Sequence, residues 1–268
     1  MDPHTALAQA LRLHRSGDTQ AAIAACRQAV RDGDAVAMRL LGLLLAEAGL
    51  FDEARHWAAR ATARDRSAET LAAEGRVLAA MRDWPAAANA LRQALAVQPG
   101  FTAARRLLDR VEAAGCAAQS EAAQLFQAGR FAEAAALFRT ACLIRPGDPK
   151  LLHALGAALH EAGQPTEAIS AYQAALAAAP LQVASWHNLG SARQAAGDLP
   201  GAMQAYARAY AADPASFPRI AQELAAGRSG QVWLTADALR ARLQSIARGH
   251  GTGPDTPPDP PAPNPQPR

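Results

Sequence analysis

The chain has 268 residues, half of them apolar but only 5% aromatic, with a net charge of +3. This allows a packed interior built on small side chains, and the interleaving of Arg with Asp and Glu leaves no basic stripe of the kind nucleic acid selects. No apolar run approaches the ~20 residues of a membrane helix, the N-terminus lacks a secretory apolar core, and three cysteines without paired spacing fit a reducing compartment, so a cytoplasmic protein is expected.

From the start of the chain, the predicted elements come in pairs. Helix pairs are expected over 3–34, 35–67 and 68–101. Thirteen extra residues, 102–114, carry Leu107, Leu108 and Val111 on one helical face and predict a single spacer helix. Three more pairs follow over 115–148, 149–182 and 183–216, the last two displaced by 34 residues. A period in that range is the mark of stacked helical repeats, since one helix pair cannot bury its own apolar face. Residues 217–248 predict a helical cap, with Thr235 as N-cap, Asp237 in the first turn, and Leu234 and Leu239 as a hydrophobic staple. The Pro-rich stretch 249–268 lacks apolar periodicity and is expected to be disordered.

Numbering each pair from 1 to 34 explains its residues. Column 15 holds Gly17, Gly49, Gly129, Gly163 and Gly197, placed to end the first helix. Column 32 holds Pro99, Pro146, Pro180 and Pro214, placed to end the second. The third pair has Arg82 where glycine is expected, which predicts a strained left-handed residue, with Asp83 capping the next helix. Column 8 is always small and column 20 always Ala, so Gly156 is expected to face Ala168, with Tyr172 filling the groove beside them from column 24. Cys26 and Cys142 fall on buried phases as small core side chains. Arg193 stands where Leu13, Leu45, Leu78, Leu125 and Leu159 stand elsewhere, which predicts a frayed or specially covered contact.

Small at 8, Ala at 20 and 27, aromatic at 24 and Pro at 32, with Trp186 at 4 and Leu189-Gly190 at 7 and 8, resemble the tetratricopeptide repeat. The resemblance implies an all-α, right-handed α-solenoid of six helix pairs, with first helices lining a concave face. It also implies that columns 2, 5, 9 and 12 face inward. These columns give Arg39 and Arg76 in the first block, opposed by Glu69. In the second block they give Lys150, His153, His160 and His187, with Asn188 adjacent. Some relatives clamp a peptide carboxylate with Lys, Asn and Arg from successive repeats; Lys150 and Asn188 are present, but the full set in order is not.

Chemistry finds little support. There is no phosphate-binding loop and no pocket signature of convergent titratable groups. His153 and His160 are two turns apart, about 10 Å along a helix, too far to share a metal ion. No catalytic residue, cofactor or metal is expected. The leading expectation is a non-catalytic scaffold that binds a protein segment on its concave face, through the polar residues named above and with binding tightening as His153 and His187 protonate. The alternative is an accessory subunit that docks a separately encoded transferase-type enzyme around Trp233.

Overall fold

A computed structural model describes residues 3–30, 34–226 and 235–249. Among them the chain is helical without strands, and no helix is long and apolar enough to cross a membrane. It divides into two compact units, residues 1–146 and 147–268. Trp233, Leu234 and the Pro-rich stretch from 250 lie outside the described residues.

The first unit holds four helix pairs. These are α1 (Pro3–Arg15) with α2 (Thr19–Ala29), α3 (Ala35–Glu47) with α4 (Phe51–Arg64), α5 (Ala68–Ala80) with α6 (Trp84–Val97), and α7 (Thr102–Gln127) with α8 (Phe131–Ile144). The second holds α9 (Pro149–Glu161) with α10 (Pro165–Ala178), α11 (Val183–Ala195) with α12 (Leu199–Ala212), then α13 (Phe217–Ala226) and α14 (Ala236–Ala247). Column 20 is wholly buried in every pair, from Ala22 to Ala202, because a methyl group is all that fits where the two backbones approach.

The turn between paired helices is the same device each time. At Gly163, φ is +74°, and the N–H of Gln164 donates to the Leu159 carbonyl, satisfying one of the last carbonyls of α9. Arg82 adopts φ +60° at the same column, the only non-glycine with positive φ among the described residues. The N–H of Asp83 keeps the equivalent bond to the Leu78 carbonyl, and its side chain accepts from the Ala86 N–H at 3.2 Å. The turn therefore forms despite the wrong residue. Arg82→Gly relieves the left-handed strain, at some cost in unfolded-chain entropy, and is expected to stabilise by roughly 0.5–1 kcal/mol. Chemical denaturation with an unchanged slope checks it.

Two expectations are revised here. Residues 102–114 are not a separate spacer helix but the first half of α7, which runs on through the start of the fourth pair. Gly115 alone interrupts the helix-forming residues there, and it is needed for packing: a Cβ on it would lie 2.9 Å from Ile144 Cγ2. Arg92 on α6 fastens the corner, donating to Glu112 at 3.1 Å and to the Ile144 carbonyl. Leu108 and Val111 are buried as the apolar face predicts.

The second revision concerns column 8. A Cβ on Gly156 would meet the Tyr172 ring at 2.7 Å, and one on Gly190 the Tyr206 ring at 2.5 Å. The glycine makes room for the aromatic of column 24 rather than for the alanine of column 20. At Gly42, where column 24 is Ala58, the nearest atoms are instead those of the facing backbone, the Ala54 carbonyl oxygen and the Ala58 nitrogen at 3.2 Å.

Candidate functional site

In the first unit, the inner faces of α1, α3, α5 and α7 enclose a cleft of about 310 Å³. The first three contribute from columns 2, 5, 6 and 9, the inward phases or their neighbours, and α7 from its first two turns. The floor is apolar: Leu7, Leu11, Val36, Leu40 and Leu43, with Phe101 and Leu107 at one end. Leu11 and Val36 are 38% and 46% exposed. Arg39, Glu69 and Arg76 also line the cleft, as expected of them. Arg76 is engaged, its Nη2 lying 3.3 Å from Glu47 Oε1, while the other oxygen of Glu47 lies 3.7 Å from His14 Nδ1. Arg39 and Glu69 have no partner among the described residues.

The polar lining expected of this face is thus incomplete for the first unit. What was missed is its leucines. The signal lay in the apolar run 40–50, which places leucine on α3 at more phases than one buried stripe requires.

In the second unit the expected polar residues are mostly used internally. His153 Nδ1 lies 2.8 Å from Ser185 Oγ, and His160 Nε2 lies 3.4 Å from Ser191 Oγ, so both histidines of α9 lean on α11. His187 is 2% exposed, which overturns the expectation that it presents a donor to a partner. The cause is α13, whose Phe217 falls 34 residues after Val183 and so keeps the repeat phase. That phase brings Glu223 over α11, with Oε1 3.6 Å from His187 Nε2 and Oε2 3.1 Å from the Tyr206 hydroxyl. Gln194 joins the same knot, donating to the Glu223 carbonyl at 3.1 Å. Asn188 is half-buried, and its oxygen accepts from Arg219 at 3.4 Å. Lys150 is exposed. Arg193 is the specially covered case rather than a frayed one, donating to the Gly201 carbonyl at 2.9 Å.

Burial pulls the pKa of both His153 and His187 down; at His187 the Glu223 carboxylate opposes this and Arg219 adds to it. While the chain is folded the histidines therefore protonate below their ordinary value of ~6.5. The unfolded chain takes up these protons first as pH falls. The stability held above pH ~6.5 is thus lost progressively below it. A melting temperature that falls from pH 7 to 5, and falls less in His187→Gln, is the expected result; thermal scans across that range check it.

Tetratricopeptide repeat models match residues 7–69 and 72–149, and a second such model matches 125–193. No curated protein matches the chain. Among solved structures, the TPR2AB domain of yeast Sti1 in its pHSP90 complex is 16% identical, covering 82% of this chain and 96% of that one, with a TM-score of 0.39. YrrB, a TPR protein with an unusual peptide-binding site, is 18% identical over 70% of this chain and 92% of its own, with a TM-score of 0.33. The TPR domain of P58(IPK) is 17% identical over 90% of this chain and 66% of its own, with a TM-score of 0.40. The family models run through most of the sequence, and the chain belongs to the tetratricopeptide repeat family, a family of protein-interaction scaffolds.

Proposed function

We propose that the chain is a non-catalytic scaffold whose inner cleft in residues 1–146 takes a partner segment with apolar side chains and one carboxylate. The observation that carries this is a half-buried leucine floor, with Leu11 and Val36 exposed, beside the unpaired guanidinium of Arg39. Rigid helices present both, so the scaffold side gives up little conformational freedom on binding. Apolar side chains spaced along a helix or an extended segment fill the floor, and an Asp or Glu beside them meets Arg39. Lys150 remains the exposed member of the polar set on residues 147–268, and His187 leaves it.

Selection of displayed peptides on the full chain tests the reading. The selected peptides are expected to combine leucine-like residues with an acidic one. Leu43→Asp is expected to weaken them by more than tenfold, and Arg39→Glu by roughly tenfold, ~1.4 kcal/mol. Peptides that bind both variants as tightly as the parent contradict the proposal.

A further inference from the structure

A second cleft, of about 460 Å³, opens on the other side of α5, between α4 and α6. The groove uses Glu69, Ala72, Ala73 and Arg76 of α5, whereas this cleft uses Leu71, Glu74, Val77 and Leu78, so one helix serves two separate faces. It exists because two repeat columns change character together. Column 28 of the second helix holds buried Val30, Leu95 and Leu176 in three repeats, and half-buried Cys142 and Tyr210 in two others. Column 7 of the first helix holds buried Leu41, Leu155 and Leu189 in three repeats, and Gln9 and Glu121 in two others. Between the second and third repeats these columns become Thr62 and Glu74, and the Thr62 hydroxyl donates to Glu74 Oε2 at 2.8 Å. Column 24 is Ala58 here, where the first repeat holds Cys26 and the later ones Leu91, Phe138, Tyr172 and Tyr206.

Glu74 is half-buried, yet among the described residues no Lys, Arg or His pairs with it; its partner is the Thr62 hydroxyl. A carboxylate taken partly out of water without a cation is costly, and a cationic ligand removes that cost. The walls above it are methyl groups, from Ala58, Ala59, Ala63, Ala86 and Ala90, which suit an aliphatic stem. The rim carries the opposite charge. Arg55 is exposed and has no partner among the described residues, and Arg66 is held by Gln93 across the cleft. Anion at the base, methyl walls and guanidinium at the rim form a dipolar site.

We propose that this cleft binds a small dipolar molecule bearing an ammonium or guanidinium group at one end of an aliphatic stem and a carboxylate at the other, the chemistry of a free basic amino acid. The cation sits against Glu74 and the carboxylate against Arg55. The cleft volume lies within the range of small-molecule sites. The proposal is independent of the partner groove.

Calorimetric titration of the full chain with L-arginine and L-lysine tests it. At least one of them is expected to bind saturably. L-citrulline, which keeps the stem, the carboxylate and the α-ammonium but loses the side-chain cation, and agmatine, which loses the carboxylate, are each expected to bind at least tenfold more weakly. Glu74→Gln is expected to reduce binding of the basic amino acid by at least tenfold while leaving groove peptides unaffected. Arg55→Ala, on an exposed position, gives a second variant whose folding is not in question, and it is expected to reduce the preference for L-arginine over agmatine. Absence of saturation by either amino acid up to about 10 mM overturns the proposal. Equal binding of L-arginine and L-citrulline, or Glu74→Gln and Arg55→Ala variants that both bind L-arginine as the parent does, overturns it equally.

Discussion

Gly190→Ala is expected to lower the stability of the second unit by about 1–3 kcal/mol, although it adds one methyl group to a helix and raises helix propensity. The added carbon would lie 2.5 Å from Tyr206 Cε1 and 2.6 Å from Cδ1. Tyr206 cannot swing away, because it is fully buried and its hydroxyl lies 3.2 Å from Gln194 Oε1 and 3.1 Å from Glu223 Oε2. Ala122 occupies the same column as Gly190, and Phe138 the same column as Tyr206, without such a collision. The column itself therefore accepts a methyl when a helix pair is spaced for it. The cost at Gly190 is that of forcing open a contact already closed. Denaturant unfolding of the variant beside the exposed control Ser170→Ala measures it. Unchanged stability for Gly190→Ala would show that α11 and α12 do not pack as closely as described.

A larger loss is expected when the chain is ended at Ser216. Ile220 and Leu243 are fully buried, and Phe217, Leu224 and Leu239 nearly so, all in one cluster with Ala202 and Tyr206. Ile220→Ala alone is expected to cost about 2–5 kcal/mol. Removing the whole of α13 and α14 strips the cover from the end of an array, which is where stacked repeats are most vulnerable. It also removes Glu223 and Arg219 from His187. In the shortened chain the loss of cover relieves the burial that lowers His187, so its pKa is expected to move back up towards ~6.5 even though the supporting Glu223 carboxylate is also gone. Thermal scans of the shortened chain, with a proton NMR titration of its histidines, check both halves. A shortened chain as stable as the full one would show that α13 and α14 are appended rather than structural.

The repeat phase carried most of the fold. Column 15 located the turns, including the strained one at Arg82, because a left-handed residue has few alternatives to glycine and the column shows where one is missing. Asp83 as the cap of α6 and Thr235 as the cap of α14 follow from the same local logic, since a cap depends on residues within one turn of it. Contacts between elements were less legible. The merging of 102–114 into α7 depends on Ile144, 29 residues beyond Gly115 and on another helix. The burial of His187 depends on α13, whose phase was visible but obscured by the masking effect of a Pro-Ala-Ser turn at 214–216. In the groove, charge drew attention to Arg39 and Arg76, while the leucines around them looked like core. A leucine on an inward column and one on a buried column differ only in what lies opposite, and the sequence of one chain does not display that.

The claim that the inner cleft of residues 1–146 receives the partner is tested most directly by site-placed photo-crosslinking. Benzoylphenylalanine is incorporated in place of Leu43, on the cleft floor, and separately in place of Val97, which is 57% exposed at the end of α6 and does not line the cleft. Each protein is irradiated in extract of its native host and the adducts are compared. The account predicts a partner adduct from position 43 that selected groove peptides compete away, and no such adduct from position 97. An adduct from position 97 alone, or one at position 43 that those peptides leave untouched, would contradict it.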